Sequence, residues 1–280
     1  MSRTAASLRA YNGRVRGLSW ILVAVGLICA IGAGAWYYGA PPADKSGAAP
    51  SAPVQEAWID QLYSQNPSEA AAAADYVKQL GPQALPVIHA TLQDPKASAE
   101  QVKAALKACA LLGSTAAPAI DEVAESLPDP ALTSEAAAAL SFMGRGAFKP
   151  HRQSLTSDDP VVRREALRSI GKLKERAPLD GRAVLPLLVK GMEDPDAGVR
   201  TVAATYLGIV HEEPPEAVRV LTAGLEDSEV NVRRASAAAL AAFGAAAEPA
   251  LPALRKAAGD PDADVAREAG VTLVKLQPPK

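Results

Sequence analysis

The chain has 280 residues, of which 49% are hydrophobic, 21% charged and only 4% aromatic. Its formal net charge is −2, yet Arg3, Arg9, Arg14 and Arg16 stand in a first stretch that holds no acid, so the remainder is mildly acidic. That argues against nucleic acid as the main partner, because phosphate binding needs a basic surface, and the alanine-, leucine- and valine-rich apolar content points to helices rather than to one aromatic-filled globule.

In chain order, residues 1–16 form a basic N-terminus, and "GLSWILVAVGLICAIGAGAWYYGA" (17–40) carries no charge. About twenty apolar residues in a helix span roughly 30 Å, the hydrocarbon thickness of a bilayer. Trp20 stands near one end and Trp36, Tyr37 and Tyr38 at the other, the places that interfacial aromatics take. The segment is expected to be an uncleaved signal anchor. With the arginines ahead of it, the N-terminus stays in the cytoplasm and the rest is exported, in a bacterial cell to the periplasmic side of the inner membrane. A cleaved signal peptide is the rival, since "AGA" (33–35) and "YGA" (38–40) resemble cleavage sites. Gly26, Ala30 and Gly34 share one face at four-residue steps, a spacing that lets two membrane helices pack closely. Residues 41–53, rich in proline and alanine, read as a partly extended linker.

From residue 54 onwards one pattern repeats. Val162, Ala166, Ile170, Leu173; Val199, Ala203, Leu207, Val210; Val232, Ser236, Leu240, Phe243; and Val265, Ala269, Leu273, Leu276 are spaced by 4, 4 and 3 residues, one face of an α-helix. Leu132, Ala136, Leu140 and Met143 fit as well, while units ending at Leu80 and Leu112 fit less well because their first column is Glu69 or Gln101. A start signal precedes each helix: Asn66-Pro67, Asp94-Pro95, Asp129-Pro130, Asp159-Pro160, Asp194-Pro195, Asp227-Ser228 and Asp260-Pro261. Stop signals follow at Gly81, Gly113, Gly144 and Gly244. Between stop and next start lies a second apolar stretch, often with proline near its front, at Pro86, Pro118, Pro186 and Pro252. Seven helix pairs in tandem follow. A pair this small cannot bury its apolar face alone, so neighbours must stack into a solenoid.

"DPDAGVRTVAATYLG" (194–208) and its siblings resemble HEAT repeats, in particular the HEAT-like type of phycobilisome lyases. The likeness is strong over 129–276 and weaker over 54–128. The fold expected is therefore all-α: an α-solenoid of about seven HEAT-like helix pairs over 54–280, preceded by one transmembrane helix. The resemblance implies that the second helix of each pair lines the concave face, which would direct Arg163, Arg200 and Arg233 along it. It also implies a structural alternative, in which each arginine pairs with a turn aspartate of its own or the adjacent unit; Asp159, Asp194 and Asp227 are available. Ala266 breaks the ladder in the last unit.

Other candidates carry less. His89, His151 and His211 fall in different units without a second ligand at three or four residues, so no metal is expected. The paired carboxylates Asp158–Asp159 and Asp260–Asp262 are accounted for as caps, and Cys29 and Cys109 as inert buried thiols. The expected function is a membrane-anchored scaffold or accessory subunit that binds a protein partner or membrane complex on the periplasmic side, with no cofactor and no catalysis. The Arg163, Arg200 and Arg233 ladder is the candidate contact for the partner. The alternative, by analogy with the phycobilisome family, is a bilin lyase or isomerase.

Overall fold

The computed structural model describes residues 58–176, 179, 181–210 and 213–276. The anchor at 17–40, with Gly26, Ala30 and Gly34, and the linker at 41–53 lie outside these residues. Every regular element among the described residues is helical. They form seven successive pairs: α1 (Trp58–Gln61) and α2 (Pro67–Leu80); α3 (Leu85–Gln93) and α4 (Ala99–Leu112); α5 (Ile120–Glu125) and α6 (Thr133–Leu140); α7 (Phe148–Ser154) and α8 (Pro160–Arg176); α9 (Gly181–Gly191) and α10 (Ala197–Val210); α11 (Pro214–Gly224) and α12 (Val230–Leu240); α13 (Leu251–Ala257) and α14 (Ala263–Leu276).

The stop signals behave as expected. Gly81, Gly113, Gly144 and Gly244 all take positive φ, between 51° and 86°, which closes the second helix of a pair before a short 3₁₀ turn leads into the next. The start signals need a correction. Asn66-Pro67 and Asp159-Pro160 do open α2 and α8 directly. Elsewhere the helix begins two to four residues later, because the aspartate side chain turns the chain before any helix starts. Asp194 Oδ1 accepts from the Asp196 N–H at 2.9 Å, and Asp196 then caps α10 by accepting from Val199 at 2.9 Å. Asp260 and Asp262 repeat this two-step entry ahead of α14. Before α4 the cap is Ser98, in a reciprocal capping box with Gln101.

The column residues form the core. All four column residues of the sets Leu132–Met143, Val162–Leu173, Val199–Val210 and Val232–Phe243 are buried; on α14, Val265 and Ala269 are buried and Leu273 packs against the core. Seven residues after the first column stands the contact to the preceding second helix. There the Ser169 hydroxyl donates to the Ala137 carbonyl at 2.9 Å, and Thr272 donates to that of Ala237 at 2.9 Å. Tyr206, at the same position on α10, lies over Gly171 of α8, and Ala239 of α12 lies on Gly208 of α10. A Cβ at Gly208 would stand 2.7 Å from the Ala239 Cα, so these backbones meet directly. The second helices thus pack closely along an unbroken row, whereas the first helices touch more sparsely.

One run among the described residues, Val230–Ala257, is long and apolar enough to cross a membrane. It is α12 and α13 joined through the break at Gly244, and Val232, Leu240, Phe243 and Leu254 within it are packed into the stack.

Candidate functional site

The arginine ladder is a chain of clamps between repeats. Arg163 Nε and Nη2 each donate to Asp194 at 2.8 Å; Arg200 does the same to Asp227 at 2.8 and 2.9 Å, and Arg233 to Asp260 at 2.8 and 3.0 Å. Each fork thus reaches the turn of the following unit, and its remaining Nη1 reaches back to the carbonyls six and five residues earlier, Ser157 and Asp158 for Arg163. Such bidentate, charge-assisted pairs are strong and directional. Burial alone would raise the carboxyls of Asp194 and Asp227, but the guanidinium groups outweigh it and hold both below the usual range. Arg233 lowers Asp260 in the same way.

This geometry selects the adjacent-unit pairing and shifts it by one unit. Asp159 is not gripped by an arginine and instead accepts from the Val161 N–H at 2.8 Å, while Asp260 joins the set. One unit earlier the ladder position is Thr133, whose Oγ1 donates to the carbonyls of Leu127 and Asp129. In the last unit Ala266 stands where no further described unit offers an aspartate. Arg163, Arg200 and Arg233 therefore lie at the seam towards the next repeat's turn, not along the open face of the second helices.

That open face carries different residues, found two, six and ten positions after the first column. On α8 they are Arg164, Arg168 and Lys172, followed by Arg176. Glu165, buried beside them, pairs with Arg168 and approaches Arg164 at 3.7 Å. The Arg176 guanidinium lies 4.0 Å from the ring centroid of Phe142, which is 43% exposed at the end of α6. On α10 and α12 the corresponding residues are uncharged apart from Arg234, and a groove of about 260 Å³ runs between these helices over Thr205, Gly208, Ala235, Ala238 and Ala242. The Phe142–Arg176 contact has no signal in the repeat pattern, since it joins the C-terminal ends of two neighbouring helices.

The remaining candidates separate. His89 Nδ1 lies 2.9 Å from Glu122 Oε1, to which Gln93 also donates at 3.2 Å, tying α3 to α5. His151 is fully buried on α7 with neither ring nitrogen hydrogen-bonded, and burial pushes its pKa down to about 3. His211 lies outside the described residues. Cys109 is buried on α4, its thiol pushed up to about 12 by burial and then by Glu122, far from a reactive thiolate. Among the described residues no three His, Cys, Asp or Glu side chains converge as a metal site would require.

The sequence model described as HEAT repeats matches residues 148–241 and 185–275, the stretch in which columns, turns and clamps recur most regularly. The chain carries HEAT repeats. Among solved structures, Kap95p in its complex with RanGDP superposes with a TM-score of 0.62 at 13% identity, over 81% of this chain and 34% of that one. At that identity the likeness shows a common fold of stacked helices and nothing finer. The complex of CpcE and CpcF of phycocyanin lyase from Nostoc sp. PCC7120 gives a TM-score of 0.47 at 20% identity, over 55% of this chain and 98% of that one. An engineered protein gives 0.45 at 21% identity, over 79% and 95%. No curated protein sequence matches the chain. Expected first from the residues, the HEAT solenoid is the fold that the described residues adopt.

Proposed function

We propose that this HEAT-repeat protein is a membrane-tethered scaffold or accessory subunit that holds a protein partner, or a membrane complex, on the periplasmic side of a bacterial inner membrane. The observation that carries the reading is the uninterrupted row of second helices, clamped turn to turn by Arg163, Arg200 and Arg233, which leaves one long open face. A stack of this kind presents a broad surface, and each clamp holds the relative setting of two units so that the surface keeps its shape. The charge-free stretch 17–40 behind four arginines supplies the tether and its orientation. Confinement at the membrane raises the effective concentration of the domain near its partner, so a modest contact suffices for occupancy. The work is binding and positioning, without catalysis or cofactor.

The test is purification of the C-terminally tagged chain in mild detergent, with and without residues 1–40. A specific partner is expected with the full chain and much less of it with the deletion. Equal recovery removes the tether from the mechanism. No partner, together with a stable visible spectral shift on incubation with a bilin, overturns the scaffold in favour of chromophore handling. A reporter active only outside the cytoplasm, fused after residue 280, is expected to be active; silence there overturns the orientation.

A further inference from the structure

The residues on the open face are unevenly distributed. Helix α8 projects Arg164, Arg168, Lys172 and Arg176, and two acids stand among them: Glu165, buried and held by Arg168, and the exposed Glu175 near its end. Lys172 makes no ion pair among the described residues. The shoulders of this ridge are uncharged: Ser134 and Ala138 on α6 with Phe142 just beyond its end, and Thr201, Thr205 and Ile209 on α10. One helix further on, the groove over Gly208, Ala235, Ala238 and Ala242 is floored by small side chains, because α10 and α12 meet backbone to backbone at Gly208 and Ala239. A basic ridge thus lies beside a narrow apolar slot, in a chain that is acidic overall beyond its first sixteen residues.

We propose that the face built by α8, α10 and α12 docks a protein segment bearing carboxylates and one apolar side chain. This rests on the scaffold reading and names the chemistry of the partner. The carboxylates lie along Arg168, Lys172 and Arg176, and the apolar side chain enters the slot between α10 and α12. Complementary charge on the ridge favours acids and repels lysines. The slot has no polar floor to reward phosphates or bases, and Glu165 and Glu175 would interrupt any track of phosphates, so a protein segment fits better than a nucleic acid. Helices packed about 9 Å apart put the slot roughly 14 Å from the ridge, or four to five residues of extended chain. Acid and apolar anchor are therefore separated by about that many residues in the partner.

The experiment uses the full-length chain in detergent, selecting from a displayed library of random peptides, with binding of the enriched peptides read by fluorescence anisotropy. Enriched peptides are expected to carry Asp or Glu about four to five residues from Leu, Ile or Phe. Lys172→Glu and Ala238→Trp should each weaken them roughly tenfold, whereas Lys172→Arg should leave binding within about twofold. Ala238 is exposed and Lys172 partly exposed, so an unchanged helical spectrum shows that lost binding is local. The docking proposal is overturned if no peptide is enriched, if the enriched peptides lack acids, or if neither variant changes binding. It is also overturned if a single-stranded oligonucleotide or a phosphatidylglycerol vesicle binds tightly with the same Lys172 dependence. If the tagged chain recovers a partner that K172E and A238W recover equally well, this face is wrong while the scaffold stands; if no partner is recovered at all, the scaffold itself falls.

Discussion

Arg200 grips both oxygens of Asp227 across the seam between two repeats, 27 residues apart in sequence, while its third nitrogen holds the carbonyls of Asp194 and Pro195 in its own turn. Both side chains are about seven-eighths buried, at 13% and 15% exposure. Arg200→Ala leaves a largely buried carboxylate and two turn carbonyls without their donors, so a loss of roughly 2–4 kcal/mol is expected. Arg200→Lys keeps the charge but not the fork and should fall between. Urea denaturation measures the loss, and hydrogen exchange should show α10 and α12 opening first at their turn ends. A loss below about 0.5 kcal/mol would mean that the clamp does not hold the seam.

The same clamps fix an acid limit. The carboxyls of Asp194, Asp227 and Asp260 titrate below their unfolded range, so the folded protein binds fewer protons than the unfolded chain as pH falls through that range. Their contribution is fully present above about pH 4 and is lost below it. His151 acts earlier. Its folded pKa, about 3, lies under the ordinary value near 6.5, so stability is lost as pH falls below 6.5 and continues to fall to about 3. Between pH 7 and pH 5 this amounts to about 2 kcal/mol. His151→Leu should remove most of that slope and leave the steeper loss below pH 4. Urea midpoints at pH 7, 5 and 4 for both proteins check the sign, and an unchanged slope in the variant would refute the assignment.

Two glycines on second helices should respond in opposite ways. At Gly208 a Cβ would meet the Ala239 Cα at 2.7 Å and its Cβ at 2.8 Å, backbone that can move only by parting α10 from α12. At Gly270 on α14 a Cβ would meet nothing within 4 Å. Gly208→Ala is expected to cost about 1–3 kcal/mol through overpacking, and Gly270→Ala to add about 0.5–1 kcal/mol through helix propensity. Thermal midpoints that shift in the same direction would show that the close approach of α10 and α12 does not limit the stack.

What could be read from residues alone divides along the same lines. The columns, the glycine stops and the pairing of helices are local regularities with a fixed period, and the structure keeps them at Val162 to Leu173 as at Val232 to Phe243. The destination of an arginine is not local. Arg163 has Asp159 four residues away yet reaches Asp194 at 31, because the stacking of repeats brings the next turn closer than its own. The helix starts misled for a related reason: Asp followed by Pro can cap a helix or make a turn ahead of one, and at Asp194 the second acid, Asp196, takes the cap. The basic ridge of α8 is visible as a string of arginines and lysines. That it faces outward beside an uncharged slot follows only from the register of α8, α10 and α12.

Buried hydroxyls on the second helices supply the last contrast. Ser169 spends its proton on the Ala137 carbonyl of the neighbouring helix, whereas Ser236 is wholly buried on α12 and its Oγ has no partner. Ser236 fills the second column, where Ala136, Ala166, Ala203 and Ala269 stand in the other repeats. Its hydroxyl is desolvated without compensation and fills the space that a Cβ at Gly224 of α11 would take. Ser236→Ala is therefore expected to leave stability unchanged or raise it by up to about 1 kcal/mol, while Ser169→Ala should lower it by about 1 kcal/mol. The difference between the two denaturation midpoints is the quantity to measure. A clear loss in Ser236→Ala would show that its hydroxyl has found a partner, for instance a carbonyl of its own helix, and that the alanine column is not the better filling for this repeat.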